Sequence, residues 1–194
     1  MRLTQNQHAM LTAWQRHTHA EFVLKDVDAA LATMTENPYV LAIPTGRGGV
    51  GRAGVRAFYA DEFLPYIPPD FELSSVSQTI GGDRIVEEFV VRFTHTLEIP
   101  WMLPGVPPTG RSAEFVLVGV IGFQAGRLAH EHIHWDQTSL LSQLGALHEP
   151  LASAGVGSPA KVLMLSGTAE ASRPARMPRG SPAFVAGDMR LGGP

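Results

Sequence analysis

The spacing of apolar residues along the chain changes character near residue 70. Before it, Met10, Trp14 and Phe22 recur at roughly helical intervals with alanines between them, which predicts a first helix. Asp26 is placed to cap a second, short helix carrying Val27, Leu31 and Met34, and Pro38 should stop it. Residues 39–43 form an apolar run of strand length. A glycine-rich loop follows, and then Val55, Phe58, Tyr59, Phe63 and Tyr66 mark a third amphipathic helix ended by Pro68 and Pro69. After residue 70 the period falls to two. Runs 71–80, 85–99, 113–123 and 127–136 read as strands, with tight turns at Gly81-Gly82-Asp83 and Gln124-Ala125-Gly126. Such turns are too short for helical crossovers, so these neighbours should run antiparallel. Residues 137–147 close the domain as one or two helical turns. Helices first and a strand meander afterwards predict an α+β domain, with the helices packed on one curved sheet.

Two segments stand outside this pattern. IPWMLPGVPPTGR, residues 99–111, places four prolines and an apolar Trp101-Met102-Leu103 triplet between two long strands. Such a loop is expected to be a lid or an interface arm, because the triplet is too apolar to be left in water. From Pro150 onward Gly, Pro, Ser and Ala dominate, and periodicity fades beyond Leu165. The expected organisation is one domain over residues 1–148 and a mostly irregular tail over 149–194.

Composition narrows the function. With 194 residues and 44% hydrophobic content the chain can build one core of ordinary size. A net charge of -3 and a pI near 6.2 give no reason to expect nucleic acid or an anionic membrane as partner. The absence of cysteine excludes disulfides, thiolate metal sites and a cysteine nucleophile. The start, MRLTQNQHAMLTAWQRH, lacks the apolar run of a signal peptide. The longest apolar stretch, 115–123, is too short to cross a bilayer. A cytoplasmic protein is the expectation.

The conspicuous chemistry is HEHIHWDQ, residues 130–137. On a strand, His130, His132, His134 and Asp136 share one face. Neighbouring histidines there stand about 7 Å apart, which suits a metal if Glu87 or His95 supplies a third ligand. The same row could move protons, with a carboxylate hydrogen-bonded to imidazole against an apolar wall. It could also be a polar face that meets water or a partner chain. The ends of the row lie about 20 Å apart, so it cannot close on one ion, and no bound metal is expected. Glu87 and Glu88 face opposite ways and cannot share a proton.

Other motifs carry less. His17 and His19 end the first helix, where interaction with the helix dipole accounts for them, although His19 could point inward. Gly46-x-Gly48-x-x-Gly51 matches a dinucleotide fingerprint but lacks the βαβ setting, and Arg52-Ala53 stands where a Walker loop needs Lys-Ser/Thr. It reads better as a flexible loop near a pocket mouth. There is no Gly-x-Ser-x-Gly elbow to support a serine hydrolase.

The stretches MTENPYVLAIPTGRGGVGRAGVRAFYADEF, DRIVEEFVVRFTHTLEIPWMLPGVPPTGR and EHIHWDQTSLLSQLGAL resemble the SnoaL-like polyketide cyclase group of the nuclear-transport-factor-2-like superfamily. The WMLPG arm and the WDQ…QLG ending resemble, more narrowly, its dienelactone-hydrolase-associated branch. The resemblance covers about residues 15–148. It implies a cone-shaped barrel: a strongly bent antiparallel sheet packed on N-terminal helices, with an apolar pocket in its mouth. It also implies a small hydrophobic molecule as ligand, a homodimer, and no metal or organic cofactor. In the cyclases an aspartate near the end of the last long strand is the acid/base, and Asp136 matches that position. The Tyr/Asp pair of the isomerases and the Asp-Arg-Asp set of the epoxide hydrolases find no residue-by-residue match. A true dienelactone hydrolase uses a cysteine nucleophile, and this chain has none.

The expectation is therefore a small-molecule enzyme of cyclase, isomerase, lyase or hydrolase type, working by cofactor-free acid/base chemistry. Asp136 would carry the proton, His132 and His134 would tune or relay it, and His19, Tyr59, Phe93, His95 and Trp101 would contact substrate. The alternative is a non-catalytic ligand-binding or dimerisation module of the same fold.

Overall fold

A computed structural model describes residues 3–147 and a two-residue strand at 184–185. Helix α1 (Gln5–His19) starts at a capping box, in which Thr4 Oγ1 accepts from the Gln7 amide at 3.2 Å and Gln7 Oε1 accepts from the Thr4 amide at 2.9 Å. It turns Met10, Leu11, Trp14, His17 and Thr18 inward and runs into a π-helical turn, Ala20–Leu24. As anticipated, Asp26 caps α2 (Val27–Ala32), accepting from the amides of Asp28 and Ala29. Helix α3 (Gly51–Phe58) likewise passes into a π-helical turn, Tyr59–Phe63, and then a short 3-10 turn, Leu64–Tyr66.

The strands are β1 (Met34–Ala42), β2 (Arg47–Val50), β3 (Glu72–Ile80), β4 (Arg84–Thr94), β5 (Ser112–Gln124), β6 (Arg127–Trp135) and β7 (Phe184–Val185), and α4 (Gln137–Gln143) follows β6. They form one sheet in the order β2-β1-β6-β5-β4-β3-β7. The meander β3 to β6 is antiparallel throughout, with Phe89 opposite Leu117 and Gly119 opposite Ile133. One pairing departs from the antiparallel expectation: β1 lies parallel to β6, with Leu41 opposite His132. The long intervening chain lets the strand direction repeat, which a tight turn does not.

Two local expectations are corrected. Pro38 does not end a helix; α2 stops at Ala32, and Pro38 lies inside β1 where its register with β6 shifts between Met34 and Tyr39. A proline is tolerated at such an irregularity because it has no ladder N–H to give. The glycine-rich segment is a hairpin strand, β2, rather than a flexible loop. A Cβ on Gly48 would stand 2.0 Å from the Val40 carbonyl oxygen, and one on Gly49 would stand 2.3 Å from that of Gly54. These glycines serve close backbone packing.

Among the described residues, helices and sheet enclose a single core. Alternate residues of β4 and β5, Ile85, Phe89, Val91, Phe93 and then Phe115, Leu117 and Ile121, face the helices and are buried. Each such side chain contributes about 1.5–3 kcal/mol by leaving water. The 99–111 arm folds onto this core: Trp101, Met102 and Leu103 are buried, and Trp101 meets Phe63 and Trp135 edge-on at 5.1 and 5.6 Å. Thr45 Oγ1 donates to the Trp101 carbonyl at 2.7 Å and Gln137 Nε2 to the Met102 carbonyl at 3.0 Å, pinning the arm. No described helix is long and apolar enough to cross a membrane. The segment expected to be an irregular tail lies outside the described residues, apart from the backbone of β7 paired with Glu72 and Leu73.

Candidate functional site

The inward stripe of α1 continues past its apolar members. Met10 and Trp14 are followed on the same face by His17 and Glu21, at spacings of three and four. Glu21 lies in the first π-helical turn and Tyr59 opens the second, and such widened turns recur where a helix must present a functional side chain. On β6 the inward positions are Glu131, Ile133 and Trp135. Three distant segments thus bring His17, Glu21, Tyr59 and Glu131 together, at 0%, 4%, 0% and 3% exposure.

His17 is the hub. Its Nε2 stands 2.9 Å from Glu131 Oε1 and 3.3 Å from Glu21 Oε1. The Tyr59 phenol oxygen is 3.1 Å from the same nitrogen and donates to Glu131 Oε1 at 3.0 Å. On the other side of the ring, Nδ1 lies 2.6 Å from Thr33 Oγ1. That hydroxyl donates to the Ala30 carbonyl at 2.7 Å, so it accepts from His17. Both ring nitrogens therefore face acceptors, the arrangement of an imidazolium.

The electrostatics agree. Burial alone would push His17 toward neutrality, but the carboxylates of Glu21 and Glu131 outweigh it and lift its pKa to about 10. Burial raises Glu21, the Glu131 charge adds to this, and His17 pulls part of it back. Burial and the two carboxylates push the Tyr59 phenol well above its ordinary value. The cluster thus holds a charged imidazole and a carboxyl whose proton is held more tightly than in water, a pattern of functional sites.

Glu21, Glu131 and Tyr59 form part of the wall of a cavity of about 60 Å³, while His17 stands behind them. This is room for roughly four water-sized units. The rest of the wall is largely apolar, with Trp14, Phe22, Phe58, Phe63, Phe71 and Trp101 prominent in it. A further buried carboxylate, Glu87, supports this wall from outside the cavity. It accepts from Trp14 Nε1 and Ser75 Oγ, both at 2.6 Å, and from Gln78 Nε2 at 2.8 Å. Ligand atoms of His17, Glu21 and Glu131 lie within 4.8 Å of one another, close enough for an ion to bridge. Hydrogen bonds already join them, so the grouping is accounted for by protons alone.

Two of the residues expected to contact substrate, Tyr59 and Trp101, are in the cavity wall. The others are elsewhere. Asp136 is exposed and caps α4, accepting from the Ser139 amide at 3.0 Å, so the expectation that it sits in the pocket is corrected. His134 is exposed, and His132 is half-buried with Nε2 2.9 Å from the Tyr39 hydroxyl. His130 stacks on His132 at 4.6 Å and on Tyr39 at 5.1 Å. The cause is strand alternation: with Glu131, Ile133 and Trp135 inward, the histidine row must face the other side of the sheet. Phe93 and His95 are buried near one another, ring centroids 6.5 Å apart, and neither lines the cavity. Burial lowers the His95 pKa. His19 is half-buried beside the cavity-facing stripe, and the histidine turned inward is His17.

His17, expected only to interact with the helix dipole, and Glu21 and Glu131, not expected at the site at all, nevertheless carried a signal. Each is a polar residue on the apolar stripe of its own element, and a buried charge there requires a partner.

No curated protein matches the sequence. Among solved structures the chain is similar to a candidate SnoaL-like polyketide cyclase from Jannaschia sp. CCS1, with a TM-score of 0.63 and 17% identity over 76% of this chain and 99% of that one. It is also similar to AclR, a candidate hydroxylase from Streptomyces galilaeus, with a TM-score of 0.57 and 19% identity over 82% and 99% of the two chains. An NTF2-like protein of unknown function from Burkholderia pseudomallei K96243 gives a TM-score of 0.54 and 20% identity over 70% and 97%. These likenesses are of fold. In sequence, the SnoaL-like domain family matches residues 8–131, most of the described residues. The chain belongs to the SnoaL-like domain family.

Proposed function

We propose that this chain is a small-molecule enzyme of cyclase type, which moves protons on a hydrophobic substrate without an organic cofactor or metal. The observation that supports this is the buried His17–Glu21–Glu131–Tyr59 cluster, whose two carboxylates open on an aromatic cavity. Two of the similar structures are a candidate polyketide cyclase and a candidate hydroxylase, which supports a small-molecule reaction class. The dienelactone-hydrolase-associated branch stays a narrower reading from the WMLPG and WDQ stretches.

In this mechanism Glu21, when ionised, takes a proton from a carbon beside a carbonyl of the bound substrate. The electron pair left behind delocalises into that carbonyl, and the negative charge is stabilised by the Tyr59 hydroxyl, turned from Glu131 to the substrate oxygen, and by the field of the His17 imidazolium behind the wall. Glu21 then returns the proton at another substrate atom, so atoms and charge balance over the cycle. Burial keeps the Glu21 proton affinity high enough for it to act as a base. The apolar wall excludes water, which strengthens every charge interaction inside.

The test needs no knowledge of the natural substrate. Small apolar ketones are incubated with the protein in deuterated buffer, and deuterium entry beside the carbonyl is followed by NMR. The wild-type protein should accelerate exchange over buffer, and Glu21→Gln should lose about 10²–10⁴-fold, the usual worth of a positioned general base. Wild-type exchange no faster than buffer across the panel would favour a non-catalytic binding module. We also propose that the chain acts as a homodimer through the outer face of its sheet.

A further inference from the structure

With His17 cationic and Glu21 and Glu131 both ionised, the buried cluster carries a net single negative charge. A proton on Glu21 can cancel it, and so can a monovalent cation lying in the cavity. An anionic ligand would meet two carboxylates and the negative faces of aromatic rings, and a neutral one would leave the charge uncompensated. An inorganic cation would exchange its water for a wall that is mostly hydrocarbon. An alkylammonium spreads its charge over methyl groups and is attracted by ring faces.

The rings of this wall brace one another. Phe63 is stacked with Phe58 at 5.9 Å and meets Trp101 edge-on at 5.1 Å, while Phe22 stacks on Phe71 at 5.8 Å. The free space of about 60 Å³ suits a group of about four or five heavy atoms, the size of a methylated ammonium head. We infer that the cavity takes an organic ammonium group, held between the carboxylates of Glu21 and Glu131 and the surrounding aromatic rings. The inference deepens the catalytic reading by naming the substrate class of the same site, hydrophobic molecules that carry an amine.

Tetramethylammonium chloride is the probe, with tert-butanol as a neutral molecule of nearly the same size and sodium chloride as the ionic-strength control. Binding is read by calorimetry and by the fluorescence of Trp14 and Trp101. The expected result is saturable binding of tetramethylammonium to the wild-type protein, at least tenfold tighter than tert-butanol, with no response to sodium. Glu21→Gln should weaken it at least tenfold. Equal affinity for tert-butanol, no saturation by tetramethylammonium, or unchanged binding by a folded Glu21→Gln protein would overturn the inference. If Glu21→Gln does not fold, the wild-type comparison of cation with neutral probe decides alone. Deuterium exchange on the same preparation separates the two readings. Exchange without cation binding removes only this inference, and cation binding without exchange removes only the catalytic one.

Discussion

A single histidine carries much of this site's energetics. His17 has its pKa raised from 6.5 to about 10, so the folded protein holds a proton that the unfolded chain releases. The corresponding stabilisation is full below about pH 6.5 and is lost progressively as the pH climbs toward 10. Glu21, raised by burial, works in the same direction from a lower starting point, because its folded form also keeps a proton that the unfolded chain gives up. The melting temperature should therefore fall between pH 6.5 and 10, and His17→Gln should flatten that fall in a calorimetric pH series. Removing the imidazole altogether strands two buried carboxylates. His17→Ala should cost about 3–5 kcal/mol in urea unfolding at pH 7, and a cost below 1 kcal/mol would mean the cluster is not held as described.

At the scale of elements, the strand period decides which polar residues meet the cavity. The run 127–136 is readable as a strand from sequence, and β6 (Arg127–Trp135) is found there. Its face assignment is harder, because His130, His132 and His134 attract attention while Glu131 sits among them unremarked. The apolar members Ile133 and Trp135 share the parity of Glu131, and parity is what burial selects. Asp136 then falls just past the strand, where its side chain caps α4. Asp136→Ala should cost about 1 kcal/mol of stability, the worth of an N-cap. Its deuterium exchange should match wild type, and a hundredfold loss in a folded protein would return Asp136 to the chemistry. The helices were legible too, but the π-helical turns that place Glu21 and Tyr59 leave no clear periodic trace in so few residues.

The whole molecule adds the question of assembly. Outward positions of β5 carry Val116, Val118 and Val120, all half-buried, opposite Val90, Glu88 and Val86 of β4, with the Arg92 and Glu114 ion pair at 2.6 Å at one end. An apolar stripe with a charged border suits a symmetric pairing of sheet faces, in which each patch meets its own copy. Sedimentation should give twice the mass of the 20.9 kDa chain at micromolar concentration, and Val118→Asp should shift it to monomer with its cavity intact. A wild-type monomer at that concentration would refute the pairing.

The sequence by itself determined the order of elements, the change from helical to strand period near residue 70, and the tight turns of the meander, because these depend on neighbours a few residues apart. It also marked Trp101, in an apolar triplet of the proline-rich arm, and Tyr59, on the face of an amphipathic helix, as residues that must find cover, and both stand in the cavity wall. Only the tertiary structure decided the parallel pairing of β1 with β6, and with it the convergence of residues 17, 21, 59 and 131. The physical reason is that a buried charge is tolerated only beside its partners. Glu21 stands one helical turn from His17, but Tyr59 and Glu131 lie 42 and 114 positions from it along the chain, separations that no local pattern encodes.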